Sequence, residues 1–568
     1  MRRRILGGAS ALLVAAAFWA PALWRWRRTG YGDWQQFLHQ WEVVRVAALR
    51  HGELALWNPW HCGGTLIFED PQAQGYGPLF WLLALPFGSN AGSKVFLLLH
   101  CALGFASMFV ACRRLLGTTQ AAAAVGALLF AGSGFFAWHG SGGHSAFLPF
   151  YFAPLLLLAW REAAQRLDAA LLVALIMAWT LWEGGVYPFP FFCLLLALDG
   201  IGQLATPREG ATRAGLVKAG ALVIALMAFL GAWRLLPIVD TMTRYPRPTS
   251  GNDVVSLAEL ADMLLAREHA YRFGHEYVWA EYGAFVGVVA FSLGLLGLVV
   301  AARRAPWVFA GALLYGAMCL GEASPFHPWP LLHRLPFFDS LRVPSRFAVF
   351  LTLFLGFAAA MGFEVLLRRV RPAKLRTALG VLVPLAISVE LLTAHGPVVD
   401  RWRGAPLAEL GEEEPYRLTP GNEYGGYASF PARGVSTRGC YTGMSYAAAR
   451  GLREGDVPQA SLRGGRVEAV SRTANTITVA LEARAEATLV LNQTFAEGWE
   501  ASAGEARADA LGRIEVAGVP AGTSEVTLRY RPRSLRAAAS LSLVGCVLFA
   551  LACFPGPVRR RLRAALEG

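Results

Sequence analysis

Charge is scarce in this chain. Only 16% of its 568 residues are Asp, Glu, Lys or Arg, too few for an ordinary soluble domain or a disordered one. Cysteine is scarce as well. There are eight, with no CxxC and no Cys/His spacing of a zinc site. Six of them (Cys101, Cys112, Cys193, Cys319, Cys546, Cys553) fall in or beside apolar runs, and Cys62 and Cys440 fall in loops. A Cys62–Cys440 disulfide is open to the chain in an oxidising compartment. Internal repeats and low-complexity tracts are absent, which excludes solenoids and linker-like chains.

What is abundant is apolar. Hydrophobic residues make up 55% and mean hydropathy is +0.41. They gather in runs of about 20 residues, the length that crosses a bilayer core as a helix. Net charge is +13. In a soluble protein that would suggest nucleic acid. Here the Arg residues sit between apolar runs, the positive-inside pattern of membrane proteins, and no nucleic-acid partner is expected.

The apolar pattern predicts about twelve spans. The first is Ile5–Trp24, read as a retained span and not a cleaved signal, because Trp19, Trp24 and Trp26 form an interfacial belt and no small-residue cleavage site follows. The others are Ser93–Val110, Ala121–Trp138, Phe147–Trp160, Ala169–Trp182, Val186–Leu204, Leu216–Leu236, Ala284–Ala301, Trp307–Leu320, Phe347–Leu367, Leu379–Thr393 and Leu535–Phe554. Every second gap is basic: Arg113-Arg114, Arg161/Arg166, Arg208/Arg213, Arg303-Arg304, Arg368 to Arg376 and Arg559 to Arg563. Both termini are therefore expected in the cytoplasm. The intervening gaps, rich in Gly, Pro, His and aromatics, are expected outside. They include SGFFAWHGSGGHSAF, LWEGGVYPFPFF, the Asp240–Glu281 loop and GEASPFHPWPLLHRLPFFDSLRVPSR. Irregular backbone at membrane level survives only around protein or a wet cavity, so chemistry is expected on that side.

Three parts follow. Residues 1–394 form a transmembrane part with a large first outer loop, 25–92. Residues 395–533 carry more charge and glycine with alternating strand patterns such as NTITVAL and EVTLRY, predicting a small extracytoplasmic β-sandwich-like domain. Residues 534–568 are a last span and a basic tail. Within the first loop, Asp33–His51 shows helical periodicity at Phe37, Val44 and Ala48, expected of a helix lying along the interface. Pro78–Phe87 is too short to span and is expected there too.

Several residues in these outer gaps could carry chemistry. Asp33 follows the first span and starts a helical run, so it reads as an N-cap or a general base. A low-dielectric chamber would raise its pKa. Glu69-Asp70 before Pro71 reads as a turn, as hydrogen-bond acceptors for substrate, or as sharing a site with Asp33. His144 and Glu183 stand at outer span ends inside Gly-rich turns. Ionisable groups at that depth are costly and tend to serve function, and Gly184-Gly185 would open space beside Glu183. Tyr187 neighbours them. Arg342 and Arg346, on the outward side of a span, suit a lipid phosphate, the alternative being an ion pair with Asp339 or headgroups. Arg234 and His333 are weaker candidates.

GELALWNPWHCGGTLIFEDPQAQGYGPLF, GSGGHSAFLPFYFAPLLLL, LPFFDSLRVPSRFAVFLTLFLGFAAAMGFEVLL and the ending LVLNQTFAEGWEASAGEARADALGRIEVAGVPAGTSEVTLRYRPRSLRAAASLSL occur in that order. With Asp33 after the first span, they resemble the YfhO-type bacterial membrane proteins, a family regarded as having the GT-C glycosyltransferase architecture. The resemblance implies a polyprenyl-phosphate-sugar-dependent transferase whose first-loop Asp is Asp33. Its partners would be membrane lipid, a polyprenyl-phosphate-linked sugar and a cell-envelope glycan, lipid or protein acceptor, with envelope-biosynthesis proteins beside it. The chain departs from the GT-C pattern in having Gly32 and Trp34 where a paired acid is frequent. The expected chemistry is inverting sugar transfer, with Asp33 as base, Arg342 and Arg346 on the leaving phosphate, and no metal or other cofactor. The rival readings are a flippase for a lipid-linked substrate and a non-catalytic partner in envelope-glycan assembly.

Overall fold

A computed structural model describes residues 2–246, 249, 253–267, 279–335, 338–420 and 426–567, the first and last few without their side chains. Parts of the expected Asp240–Glu281 loop, and residues 336–337 of the loop before Arg346, lie outside the described residues. Helices stand at all twelve positions where spans are expected. Among the described residues, seven are long and apolar enough to cross a membrane: Ser89–Leu116, Gln120–Gly142, Pro188–Ala205, Arg213–Arg244, Pro344–Arg369, Ala373–Val399 and Leu535–Cys553. Others, among them Leu167–Trp182 and Pro306–Cys319, are apolar but shorter.

Two ends of this helical body differ in chemistry. The basic gaps meet at one end. There Arg114 pairs with Glu162 at 2.8 Å, Arg559 with Asp168 at 2.5 Å, and the Thr119 N–H donates to Glu364 at 2.7 Å. The Gly- and aromatic-rich gaps meet at the other end, around Asp33. The Pro344–Arg369 helix runs between the two ends through the core and is buried over most of its length. Close packing sets some of its glycines: a Cβ on Gly356 or Gly126 would press on the backbone of the other helix.

The strands expected as a small sandwich form one antiparallel hydrogen-bonded sheet of six strands. Its order is Trp499–Ala501, Glu525–Tyr530, Thr476–Thr494, Arg513–Val519, Glu505–Ala508, with Ala460–Arg472 on the other side of Thr476–Thr494. The NTITVAL strand belongs to one strand of 19 residues, Thr476–Thr494, continuous through the polar EARAE stretch. Register shifts interrupt its pairing with Ala460–Arg472 and with Arg513–Val519, the irregularity by which bulges bend strands. The sheet's apolar residues Val479, Leu489, Val526 and Leu528 share a core with Trp57, Cys62 and Leu66 of the first loop. The first loop therefore closes this face.

That loop is fastened on every side. Cys62 and Cys440 are disulfide-bonded, with Cα atoms 4.5 Å apart. The Thr494 N–H donates to the Gly63 carbonyl at 2.7 Å. The Asn475 side chain accepts from the Leu56 N–H and donates to the Leu54 carbonyl, both at 2.7 Å. The helix expected along the interface is present as Trp34–His51, but it is buried on its polar side as well. His39 contacts the Tyr427 carbonyl at 2.9 Å, Gln40 donates to Asp70 at 3.1 Å and Gln35 to the Gly30 carbonyl at 3.2 Å. Protein, not a membrane surface, covers it, because its polar side chains find partners in the loops folded over them.

Candidate active site

Asp33 sits at the N-cap position of the Trp34–His51 helix, yet its side chain makes no capping bond. Its backbone N–H is held by the Gly142 carbonyl at 3.1 Å. Close approach of the HGSGGH turn makes this possible. Gly143 has φ +99°, and a Cβ there would collide with the Trp34 nitrogen. The carboxylate turns instead into a cavity of about 390 Å³. Oδ1 accepts from the Tyr441 hydroxyl at 3.0 Å, and Oδ2 lies 3.0 Å from His144 Nε2.

The expected upward pKa shift of Asp33 is overturned. Burial does push it up. The His144 hydrogen bond and charge and the Tyr441 hydroxyl outweigh burial and hold the carboxyl below its usual value. Asp33 is thus ionised at neutral pH with both oxygens engaged.

His144, Tyr187, Arg342 and Arg346 line the same cavity as Asp33. Arg346 is not paired with Asp339. Its Nε and Nη2 donate to the two oxygens of Glu281 at 2.8 and 2.6 Å, and its guanidinium lies 4.2 Å from the Tyr187 ring centre. Its Nη1 is buried with no hydrogen-bond partner among the described residues. Burial pushes the Glu281 carboxyl up, but Arg346 and the nearby His144 and His139 bring it well below the ordinary range.

Glu69, Asp70 and Glu183 do not reach this cavity. Glu69 accepts from Tyr530 and, at 2.5 Å, from Arg244. Asp70 accepts from Gln40 and from the Gln72 N–H at 2.8 Å. Burial raises Asp70 to about 6. Glu183 is buried between His100 Nε2 (2.9 Å) and Trp179 Nε1 (2.6 Å). No space opens beside it: a Cβ on Gly184 would strike the Gln72 backbone, so the first loop fills that volume. Glu69 ties the first loop to its neighbours, Asp70 ties two parts of that loop to each other, and Glu183 ties the Leu167–Trp182 helix to the Ser89–Leu116 helix. Arg234 holds the loop as well, donating to the Phe68, Asp70 and Ala73 carbonyls. His333 contacts the Leu341 carbonyl at 2.7 Å.

Three functional-site neighbours were not read from the sequence. Glu281 is a lone acid ahead of a span. His139 lies five residues before His144, and Tyr441 follows Cys440. The HxxxxH spacing was a usable signal, whereas Glu281 and Tyr441 are brought in only by the fold. His139 Nδ1 lies 2.6 Å from His144 Nδ1. One ligand atom each from His139, His144 and Glu281 fall within 4.8 Å of one another. Such an N,N,O set has the donor chemistry for a divalent transition ion, although Arg346 already takes both Glu281 oxygens.

A second cavity, of about 370 Å³, adjoins the first through the shared residues Gln72, Tyr187 and Gly443. It is an apolar groove between the starts of the Pro188–Ala205 helix and the end of the Arg213–Arg244 helix, walled by Leu181, Phe189, Ile238 and Met242.

No protein-family model matches the chain, and no curated protein sequence does. Among solved structures, it is similar to the mycobacterial arabinofuranosyltransferase AftD, at 18% identity and TM-score 0.47 over 71% of this chain and 27% of AftD. It is also similar to the Archaeoglobus fulgidus oligosaccharyltransferase. The apo form gives 13% identity and TM-score 0.41, covering 70% of this chain and 56% of that one. The form tethered to an acceptor peptide gives 12% and 0.42, covering 76% and 64%. The chain spans only about a quarter of AftD and just over half of the apo oligosaccharyltransferase.

Proposed function

We propose that this protein is a membrane glycosyltransferase that moves a sugar from a polyprenyl-phosphate donor to a cell-envelope acceptor in the Asp33 cavity. One observation carries the reading. An ionised carboxylate released from its cap position faces a polar cavity that holds Arg342 and Arg346, and an apolar groove adjoins this cavity. A polyprenyl-phosphate sugar has the same division, a polar sugar phosphate and a long hydrocarbon chain. In this reading the chain lies in the groove and the phosphate meets Arg342 and the Nη1 of Arg346.

Asp33 takes the proton from an acceptor hydroxyl. The acceptor oxygen bonds to the anomeric carbon, and the bond from that carbon to the phosphate oxygen breaks with inversion. The lipid phosphate departs as an anion toward the two arginines. A phosphate leaves without needing a general acid, so none is assigned. His144 and Tyr441 keep the Asp33 carboxylate oriented. Glu281 fixes Arg346 against the Tyr187 ring. No metal takes part in this scheme.

The test is radiolabelled sugar transfer in membranes from a pool of polyprenyl-phosphate sugars, at matched expression. Asp33→Asn is expected to lower transfer by about 10²-fold or more, the usual weight of a positioned base. Unchanged transfer would remove Asp33 from the mechanism. Cellular function that survives Asp33→Asn would favour the non-catalytic partner, and movement of the donor across vesicles without transfer would favour the flippase.

A further inference from the structure

The Pro188–Ala205 helix starts at the Asp33 cavity, where Tyr187 is its N-cap, and ends at another cavity of about 400 Å³. Eighteen helical residues rise about 27 Å, so the two cavities lie close to one hydrocarbon-core thickness apart. The far one is a cleft. One wall is the stretch Leu195 to Thr206, the other is Pro306 to Tyr315, and Phe354 closes the back. Leu195, Leu198, Ala310 and Leu314 make its sides apolar. The nine-residue rise from Pro306 to Tyr315 is about 14 Å, nearly half the core thickness and the depth of one leaflet's acyl chains.

The mouth is polar and carries an unbalanced positive charge. Arg161 lies 3.8 Å from the centre of the Trp307 ring and is neutralised by Asp199, to which its Nε donates at 3.0 Å. Gln203 donates to the other Asp199 oxygen at 2.7 Å. Arg208 is different. It donates to the Arg161 carbonyl at 3.2 Å, and among the described residues it has no ion pair with a carboxylate. Deeper in, Tyr315 is 2% exposed, and among the described residues its hydroxyl has no hydrogen-bond partner. Side chains on a helix lean toward its N-terminus, which here is the mouth. A buried hydroxyl without a partner asks for an acceptor.

We infer that this cleft binds one membrane phospholipid with an anionic headgroup. Its phosphate would meet Arg208, an ester oxygen would accept from Tyr315, and one acyl chain would lie between the two helices. The basic gaps at this end supply the charge complementarity that selects an anionic lipid. The inference makes no use of the glycosyl-transfer reading.

Native mass spectrometry of the detergent-purified full chain tests it, with thermal unfolding as a control for folding. The probes are palmitoyl-oleoyl phosphatidylglycerol, phosphatidylcholine with the same chains, and inorganic phosphate. One phosphatidylglycerol is expected to bind at least tenfold more tightly than phosphatidylcholine. Arg208→Glu, at the mouth, and Ala310→Trp, which fills the cleft, should each weaken it at least tenfold, and Arg208→Lys should retain it. Equal binding of both lipids, or full retention by either disruptive variant, would overturn the site. Displacement of the lipid by millimolar phosphate would overturn the lipid as occupant in favour of a soluble phosphate.

Discussion

Asp33 stands where a helix cap belongs, and its carboxylate points elsewhere. The sign of its pKa shift follows from this. Its folded value is depressed, so its contribution to stability is present above the unfolded carboxylate value and is lost as pH falls through the folded one. The acid limb of transfer is therefore expected below the ordinary carboxylate range, with no loss between pH 5 and 7 from Asp33 itself. Tyr441→Phe removes one bond to the charged form and should move that limb upward. It should also cost about 1–2 kcal/mol at neutral pH, which is measurable as a lower unfolding midpoint that recovers in acid relative to wild type. A second expectation belongs to the His139, His144 and Glu281 cluster. Chelator should leave transfer unchanged. Loss under chelation with recovery on adding Mn²⁺ would assign the phosphate to an ion held by those three side chains.

Tyr441, Thr442 and Gly443 line the Asp33 cavity, and the element that carries them has almost no regular structure. Their position depends on the neighbouring Cys440 and its bond to Cys62. Cys62 itself has φ +56°, followed by Gly63 at +58° and Gly64 at +110°, a turn that presents three left-handed residues in a row. The Gly63 N–H donates to Thr437 at 2.8 Å, and His61 Nε2 lies 3.1 Å from the Tyr441 carbonyl and the same distance from its N–H. The first loop and the 436–443 segment are thus one unit stapled at the middle. Removing the staple with Cys62→Ser and Cys440→Ser should cost about 2–5 kcal/mol, as for other native disulfides. It should also lower transfer through a poorer Asp33–Tyr441 contact, visible as an upward-shifted acid limb.

At the scale of the molecule, Glu69 joins three bodies. It belongs to the first loop, pairs with Arg244 of a long apolar helix and accepts from Tyr530 of the sheet. Burial pushes its carboxyl up, and Tyr530 and Arg244 oppose that. A buried carboxylate that loses one of two partners is expensive. Tyr530→Phe is therefore expected to cost about 1–3 kcal/mol, read as a lower unfolding midpoint in detergent. The acid limb set by Asp33 should stay in place, because Glu69 is not at the cavity. A shift of that limb in Tyr530→Phe would show that the two carboxylates are coupled.

The helical positions, the grouping of basic gaps at one end and the strand-rich region after residue 460 were legible in the chain, because each rests on a local pattern: apolar run length, Arg placement, alternation. Asp33, His144, Tyr187, Arg342 and Arg346 were legible as candidates together with Glu69, Asp70 and Glu183, since all lie in gaps of one composition, and such gaps meet at one end of a helical bundle. Local pattern could not tell which of the acids would face the cavity. Asp33 and Glu69 look alike in sequence, and only the position of Arg244 and Tyr530, 175 and 461 residues away, withdraws Glu69 into the fold. The same holds for Glu281 beside Arg346, for Tyr441 on Asp33 and for the covered helix at Trp34–His51. The tertiary structure alone decided these, because a carboxylate's direction and pKa are set by the charges and hydrogen bonds around it, and those come from distant parts of the chain.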